Sequence, residues 1–312
     1  MMKLAFVFPG QGSQSVGMLD AWAGQADVAA VLAEANAALG EDLAALIAQG
    51  PAEQLNLTTN TQPAMLVAAV AAYRAWRAAG GAQGAVMAGH SLGEYSALVA
   101  AGALSLADAV PLVRVRANAM QQAVPVGEGG MAAILGLDDD TVRAVCRDAA
   151  QGEVVEAVNF NAPAQVVIAG HKGAVERACA GAKAAGAKRA LPLPVSAPFH
   201  SSLLRPAADV LAQALAGVAV NAPEVPVINN VDVAVETSPD AIRDALVRQA
   251  WHPVRWVETI QAFRAQGVTH IVEFGPGKVL TGLVRRIEPE ITALSVADPA
   301  SLEAALAALA GA

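Results

Sequence analysis

The chain is poor in cysteine, aromatic residues and charge, and it has no long apolar run. Its two cysteines, Cys146 and Cys179, cannot form a disulfide framework, and neither stands in a metal-like spacing, so a reducing cytoplasm is the expected setting. Charged residues make up 15% of the 312 positions, with a net charge of −8. That balance gives no general attraction to nucleic acid or an anionic membrane, and any anionic ligand needs a local basic site. No apolar stretch approaches the roughly 20 residues of a membrane helix. The opening "MMKLAFVFPGQG" is too short an apolar run for a signal peptide and reads as a first strand. The alternative compartment is an organelle whose transit peptide has been trimmed away. What is abundant is apolar residue, 55% of the chain, with aromatics only 4% and alanine common. These figures imply a well-buried, helix-rich globular protein of one large or two smaller domains.

Along the chain, "KLAFVF" (3–8) reads as a buried strand, followed by the glycine-rich loop "PGQGSQSVG". Helical patterns cover about 19–39, 41–49 and 63–79. "AVMAG" (85–89) is a short apolar strand, and two helices follow it. The second starts at Ser105 as N-cap, with Asp108 three residues on, and Pro111 is expected to kink it. Alternating strands and helices argue for a parallel sheet covered on both faces. The middle differs. Strand 131–137, helix 138–150, strands "EVVEAVNF" and "AQVVIAG", helix 171–186 and an extended 188–196 give the order β-α-β-β-α-β of a ferredoxin-like unit. The first pattern then resumes, with a helix from about 201 and strands at "VPVINNV", "THIVEF" and about 292–297. The fold expected is therefore α/β: a large α/β-hydrolase-like domain with a mostly parallel sheet (residues 1–126 and 197–312) and an inserted ferredoxin-like α+β subdomain (127–196).

The chemistry centres on Gly89-His90-Ser91-Leu92-Gly93. G-x-S-x-G between a strand and a helix forms a sharp elbow that exposes the serine hydroxyl, and both glycines avoid Cβ clashes. Close packing of a helix on the sheet would explain the small residues equally well. A serine nucleophile needs a base and oxyanion donors. Of five histidines, His90 adjoins the serine but points away from it on a tight turn, and His270 alternates with apolar residues in a strand. His171 starts a helix and caps it, and His252 sits in a helix–helix connection. His200 lies where the chain leaves the insert and faces the cleft between domains. Position favours His200, with His252 next.

Six motifs occur in order: "FVFPGQGSQ", "GHSLGEYSAL", "VRVRA", "NFNAPAQVVIAG", "PFH" and "EFGPGKVL". Together the chain resembles the malonyl-CoA:acyl carrier protein transacylases of fatty-acid synthesis, and it is similar to the acyltransferase domains of polyketide synthases, over nearly its whole length. The resemblance implies a malonyl-CoA-dependent acyltransferase working by a ping-pong route, with acyl carrier protein as second substrate and neither metal nor other cofactor. It implies Ser91 as nucleophile, His200 as general base and then acid, and an oxyanion hole shaped by Gln11 and the N–H of Leu92. It implies Arg116 as partner of the malonyl carboxylate, and the main-chain carbonyl of Gln249 as the group that orients His200, its side chain taking no part. Arg114 and Arg116 point to different helix faces, and only the resemblance selects between them. Phe199, bulkier than the usual residue of stand-alone bacterial enzymes, should crowd an α-methyl on the acyl group. A cytoplasmic monomer is expected, with no nucleic-acid or membrane partner.

Rival readings are weaker. "PGQGSQSVG" lacks the third Rossmann glycine and a Walker A lysine. "GPGK" (275–278) could bind phosphate or simply turn into a helix. A serine esterase would share G-x-S-x-G but expects an HGGG-like loop and an acidic residue between Ser and His. An acidic carrier would favour a basic rim, for which Lys188-Arg189 and Arg285-Arg286 are candidates.

Overall fold

Five apolar stretches far apart in sequence line up as one sheet in the computed structural model, which describes residues 2–195 and 197–311. The strands of the chain are β1 (Leu4–Phe8), β2 (Val86–Gly89), β3 (Gly129–Leu135), β4 (Val155–Ala162), β5 (Gln165–His171), β6 (Arg189–Pro192), β7 (Val227–Ile228), β8 (His270–Phe274) and β9 (Thr292–Val296). The first sheet runs β7-β2-β1-β8-β9, every pairing parallel. β1 and β2 are buried along their whole length, as strands covered on both faces must be. Helices supply the crossovers. Behind β1, the rings of Phe6, Phe8, Tyr73, Trp76 and Phe274 pack mostly edge to face. Among the described residues, no helix is long and apolar enough to cross a membrane.

The second sheet is antiparallel in the order β4-β5-β3-β6, built from 129–192 alone. Helices Asp139–Ala150 and Lys172–Ala184 pack on it around a separate apolar cluster that includes Ile134, Val142, Cys146, Ile168, Val175 and Cys179. This is the expected ferredoxin-like order. Its edge strand β4 reaches the first unit through Val254 N–H to Val158 O (2.8 Å) and Phe160 N–H to Val254 O (3.0 Å).

Several bounds differ from those read in the sequence. The helix expected from 63 begins at Thr58 and takes Pro63 into its sixth position, losing one intrahelical bond there. Helix Leu106–Gln122 likewise runs through Pro111 without a break, with Ser105 accepting the Asp108 N–H as its cap. The strand expected over "VPVINNV" is only two residues long, because Asn230 leaves the ladder for side-chain work at the elbow. The extended exit stretch is regular only over β6, and its last residue, Ser196, lies outside the described residues.

Candidate active site

β1 and β2 end side by side, and the loops after them form the site. The elbow glycines are required by close approach. A Cβ on Gly89 would stand 1.8 Å from the Gly93 carbonyl carbon, and one on Gly93 would stand 2.0 Å from the Phe8 oxygen. Ser91 between them has φ 53°, a left-handed conformation costing a non-glycine residue about 1–2 kcal/mol. Asn230 clamps this strained turn: its Oδ1 accepts the Ser91 N–H and its Nδ2 donates to Gly89 O, both at 2.7 Å. His90 points away from the serine, its Nε2 2.7 Å from Asn161 Oδ1 on β4 and its ring edge-on to Trp256.

His200 stands just before the short 3-10 turn Ser202–Leu204, also at positive φ (66°). Its Nε2 lies 2.7 Å from Ser91 Oγ, and its Nδ1 lies 2.9 Å from the main-chain oxygen of Gln249. The carbonyl can only accept, so Nδ1 carries the hydrogen and Nε2 offers its lone pair to the serine hydroxyl. Among the described residues no carboxylate bonds to either ring nitrogen. Burial, and then the Arg116 cation nearby, push this imidazole down to about 3, so it is neutral at pH 7. The other histidines are engaged elsewhere. His252 Nδ1 is 2.7 Å from Arg248 O. His270 Nδ1 is 2.9 Å from Thr269 Oγ1. His171, expected to cap its helix, instead accepts the Val154 N–H.

Arg114 and Arg116 diverge as two residues on a helix must. Arg114 meets Glu41 near the surface, while Arg116 is 2% exposed and enters the site. Its Nη1 donates to Gln62 Oε1 (2.6 Å), and its Nη2 donates to Gln249 Oε1 (2.9 Å) and to Ser91 Oγ (3.2 Å). The guanidinium also lies 5.4 Å from the Tyr95 ring centre. It has no carboxylate partner among the described residues, and its buried Nε makes no hydrogen bond. A buried cation held by neutral groups, two amides, a hydroxyl and a ring, is costly, and burial lowers its pKa. The arrangement has room in its charge balance for an anion brought by a ligand.

The Gln249 side chain departs from expectation. Besides the main-chain oxygen that meets His200, its amide contacts Arg116 and donates to Ser91 O and Glu94 Oε2, each at 2.9 Å. Glu94, 2% exposed, also accepts the Asn230 N–H at 2.9 Å, and burial pushes its carboxyl up to about 7. Glu94, Gln249, Asn230 and Gln62 thus form a buried polar network around Ser91, of which the sequence reading named only Gln249, for its main-chain oxygen.

Gln11 sits in the loop after β1, where a Cβ on Gly10 would be 2.8 Å from His90 O, so this loop lies against the elbow. The Gln11 side-chain oxygen is taken by Thr58 Oγ1 (2.9 Å). The main-chain N–H groups of Gln11 and Leu92 have no partner among the described residues. Phe199 is buried in the same apolar cluster as Leu92, Met120 and Met131. "GPGK" is no anion cradle: the buried Glu273 carboxylate already accepts the Leu280 and Thr281 N–H groups that open the next helix. Arg286 is engaged with Gln165 and Pro163 O, whereas Lys188 and Arg189 are exposed. A cleft of about 900 Å³ between the helix Asp139–Ala150 and the segment 251–261 is lined by Glu156, Phe160, Ser202 and Trp251, not by Ser91 or Arg116.

Comparison with known proteins agrees with this geometry. The acyl transferase domain family matches residues 5–302. The chain is 61% identical over 307 residues to the malonyl CoA-acyl carrier protein transacylase of Escherichia coli K12, covering 98% of this chain and 99% of that one. It is 46% identical over 311 residues to the Bacillus subtilis 168 protein of the same name, covering 99% and 98%. Among solved structures it is similar to the acyl-carrier-protein S-malonyltransferase of Burkholderia pseudomallei 1710b (TM-score 0.97, 68% identity, 98% and 100% covered). It is also similar to a malonyl-transacylase in complex with a type II polyketide acyl-carrier protein (TM-score 0.96, 54% identity, 98% and 99% covered).

Proposed function

The chain belongs to the acyl transferase domain family, and we infer that it moves a malonyl group from malonyl-CoA to the pantetheine thiol of acyl carrier protein, with Ser91 holding the group as an ester between two half-reactions. In the first, Ser91 Oγ attacks the thioester carbonyl while His200 Nε2 takes the hydroxyl proton. The developing oxyanion is met by the unpaired N–H groups of Gln11 and Leu92. The C–S bond breaks, and coenzyme A leaves with the proton from His200. In the second, the carrier thiol gives its proton to His200 and attacks the ester, and Ser91 recovers its proton as the malonyl group departs. His200 is oriented by a neutral carbonyl and stays a weak base, which suits a thioester whose thiolate leaves readily.

The observation that supports malonyl over a plain acyl group is Arg116, a buried guanidinium touching the nucleophile and, among the described residues, bonded to no carboxylate. A malonyl carboxylate would complete its charge pairing. The same pairing would offset one of the three causes that depress His200, so the base strengthens as the right substrate binds. Phe199 would crowd an α-methyl and favour malonyl over methylmalonyl. We place the enzyme in the cytoplasm as a monomer acting between coenzyme A and a carrier protein.

Arg116→Ala tests this reading. Removing one partner of a buried pair costs about 3–5 kcal/mol, so kcat/KM for malonyl-CoA should fall about 10²–10³-fold. Acetyl-CoA, which leaves the guanidinium unpaired in the wild type, should be used as well as before or better. Steady-state transfer to holo-carrier with each thioester measures both; equal losses would make Arg116 structural.

A further inference from the structure

We propose that Glu94 is a positioning residue for Arg116: acting through the Gln249 side chain, it fixes which end of that amide faces the guanidinium and so holds Arg116 over Ser91 in the orientation that selects a malonyl group. This deepens the reading of Arg116 given above and rests on it.

The two ends of a glutamine amide have nearly the same shape, and their neighbours decide which way it points. Arg116 can only donate, and Glu94 Oε2 accepts, from the Asn230 N–H as well as from Gln249. Gln249 therefore turns Oε1 to Arg116 Nη2 and Nε2 to Glu94 Oε2, each at 2.9 Å. Ser91 O, a second acceptor at 2.9 Å from Nε2, agrees with this direction. Flipping the amide would set N–H against guanidinium and oxygen against carboxylate. The clamp on the other side lacks such an anchor. Gln62 accepts from Arg116 Nη1 at 2.6 Å, but its own Nε2 reaches only Met120 Sδ at 3.8 Å, a weak partner. The anchored arm is the one that ends at Glu94.

The amide relay also explains why the carboxylate stands one residue away from Arg116. Glu94 in direct contact would neutralise the guanidinium and repel an incoming malonyl carboxylate. Two glutamine oxygens hold the group while leaving its charge for the ligand. Among the described residues the Glu94 side chain bonds neither to Ser91 Oγ nor to His200; its hydrogen bonds go to the Gln249 amide and the Asn230 main chain.

The experiment is a double-mutant cycle on substrate selectivity. kcat/KM for malonyl-CoA and acetyl-CoA is measured for the wild type, Glu94→Gln, Gln249→Leu and the pair, with thermal midpoints alongside. Glu94→Gln should lower the malonyl-to-acetyl ratio by about tenfold or more, and Gln249→Leu by at least as much. In the Gln249→Leu background, Glu94→Gln should change the ratio by less than about threefold, because the amide it acts through is gone. A purely structural Glu94 would lower both substrates together, and its effect on the ratio would not depend on Gln249. If Glu94→Gln does not accumulate, Glu94→Asp serves the same test: it keeps the charge, draws the oxygen back from Gln249, and should shift the ratio in the same direction. An unchanged ratio in the glutamate variants, or additive effects in the cycle, would overturn the proposal while Arg116→Ala still loses selectivity. A wild type without malonyl preference would instead remove the reading of Arg116, and this proposal with it.

Discussion

Ser91→Ala is expected to yield a folded protein that forms no acyl adduct and transfers malonyl about 10⁶-fold more slowly, the scale of loss when the nucleophile of a serine–histidine unit is removed. The fold should survive. Alanine keeps the main-chain bonds of Ser91, its N–H to Asn230 Oδ1 and its carbonyl to Gln249 Nε2, and loses only the Oγ contacts with His200 and Arg116. The left-handed φ of 53° is no harder for alanine than for serine. Stability should therefore change by less than about 1 kcal/mol, read by thermal unfolding beside the rate. An adduct of normal yield on this variant would move the nucleophile elsewhere.

His200→Ala should cost about 10⁴–10⁶ in kcat, and no Asp→Asn or Glu→Gln change should match it. The Nδ1 partner of His200 is the Gln249 carbonyl at 2.9 Å, where a hydrolase triad has a carboxylate. Glu94 is the buried carboxylate of this network, and its side chain bonds to the Gln249 amide and the Asn230 N–H, not to His200, so its loss should be smaller. A scan of acidic residues that found one costing about 10⁴ would contradict the dyad. The same histidine leaves a mark on acid stability. Its native value lies near 3, well below the unfolded 6.5. Between those values the unfolded chain takes up a proton that the folded chain refuses. The stability from this group is complete above about pH 6.5 and is lost as pH falls toward 3. His200→Ala should lose less stability across that window than the wild type, as chemical denaturation at several pH values would show.

Ser91 and His200 stood out because each lies in a short motif whose local shape is set nearby, a glycine elbow and the exit of the insert, whereas only the family resemblance separated Arg116 from Arg114. The ferredoxin-like order was legible from strand and helix spacing. The support network was not, because it joins residues distant in sequence. Glu94 and Gln249 are 155 positions apart, and Ser91 and Asn230 are 139 apart. Nothing in "INNV" distinguishes an asparagine that ends a strand from one that clamps a strained turn. The contacts of the Gln249 side chain were missed for the same reason: its main-chain role came with the family resemblance, but its amide contacts exist only once three separate segments meet. The shortened β7 and the early start of the helix Thr58–Ala78 are tertiary effects of the same kind.

The central claim is that malonyl rests on Ser91 and passes from there to a thiol. It is tested most directly by mixing the protein with a small excess of malonyl-CoA, without carrier, and weighing the intact chain before and after adding holo-acyl carrier protein. The expected result is one malonyl adduct per chain, mapped by peptide mass to Ser91, which disappears as an equal amount of malonyl-carrier forms. Release of free malonate without a carrier product, or carrier malonylation with no adduct on the chain at any time, would contradict it.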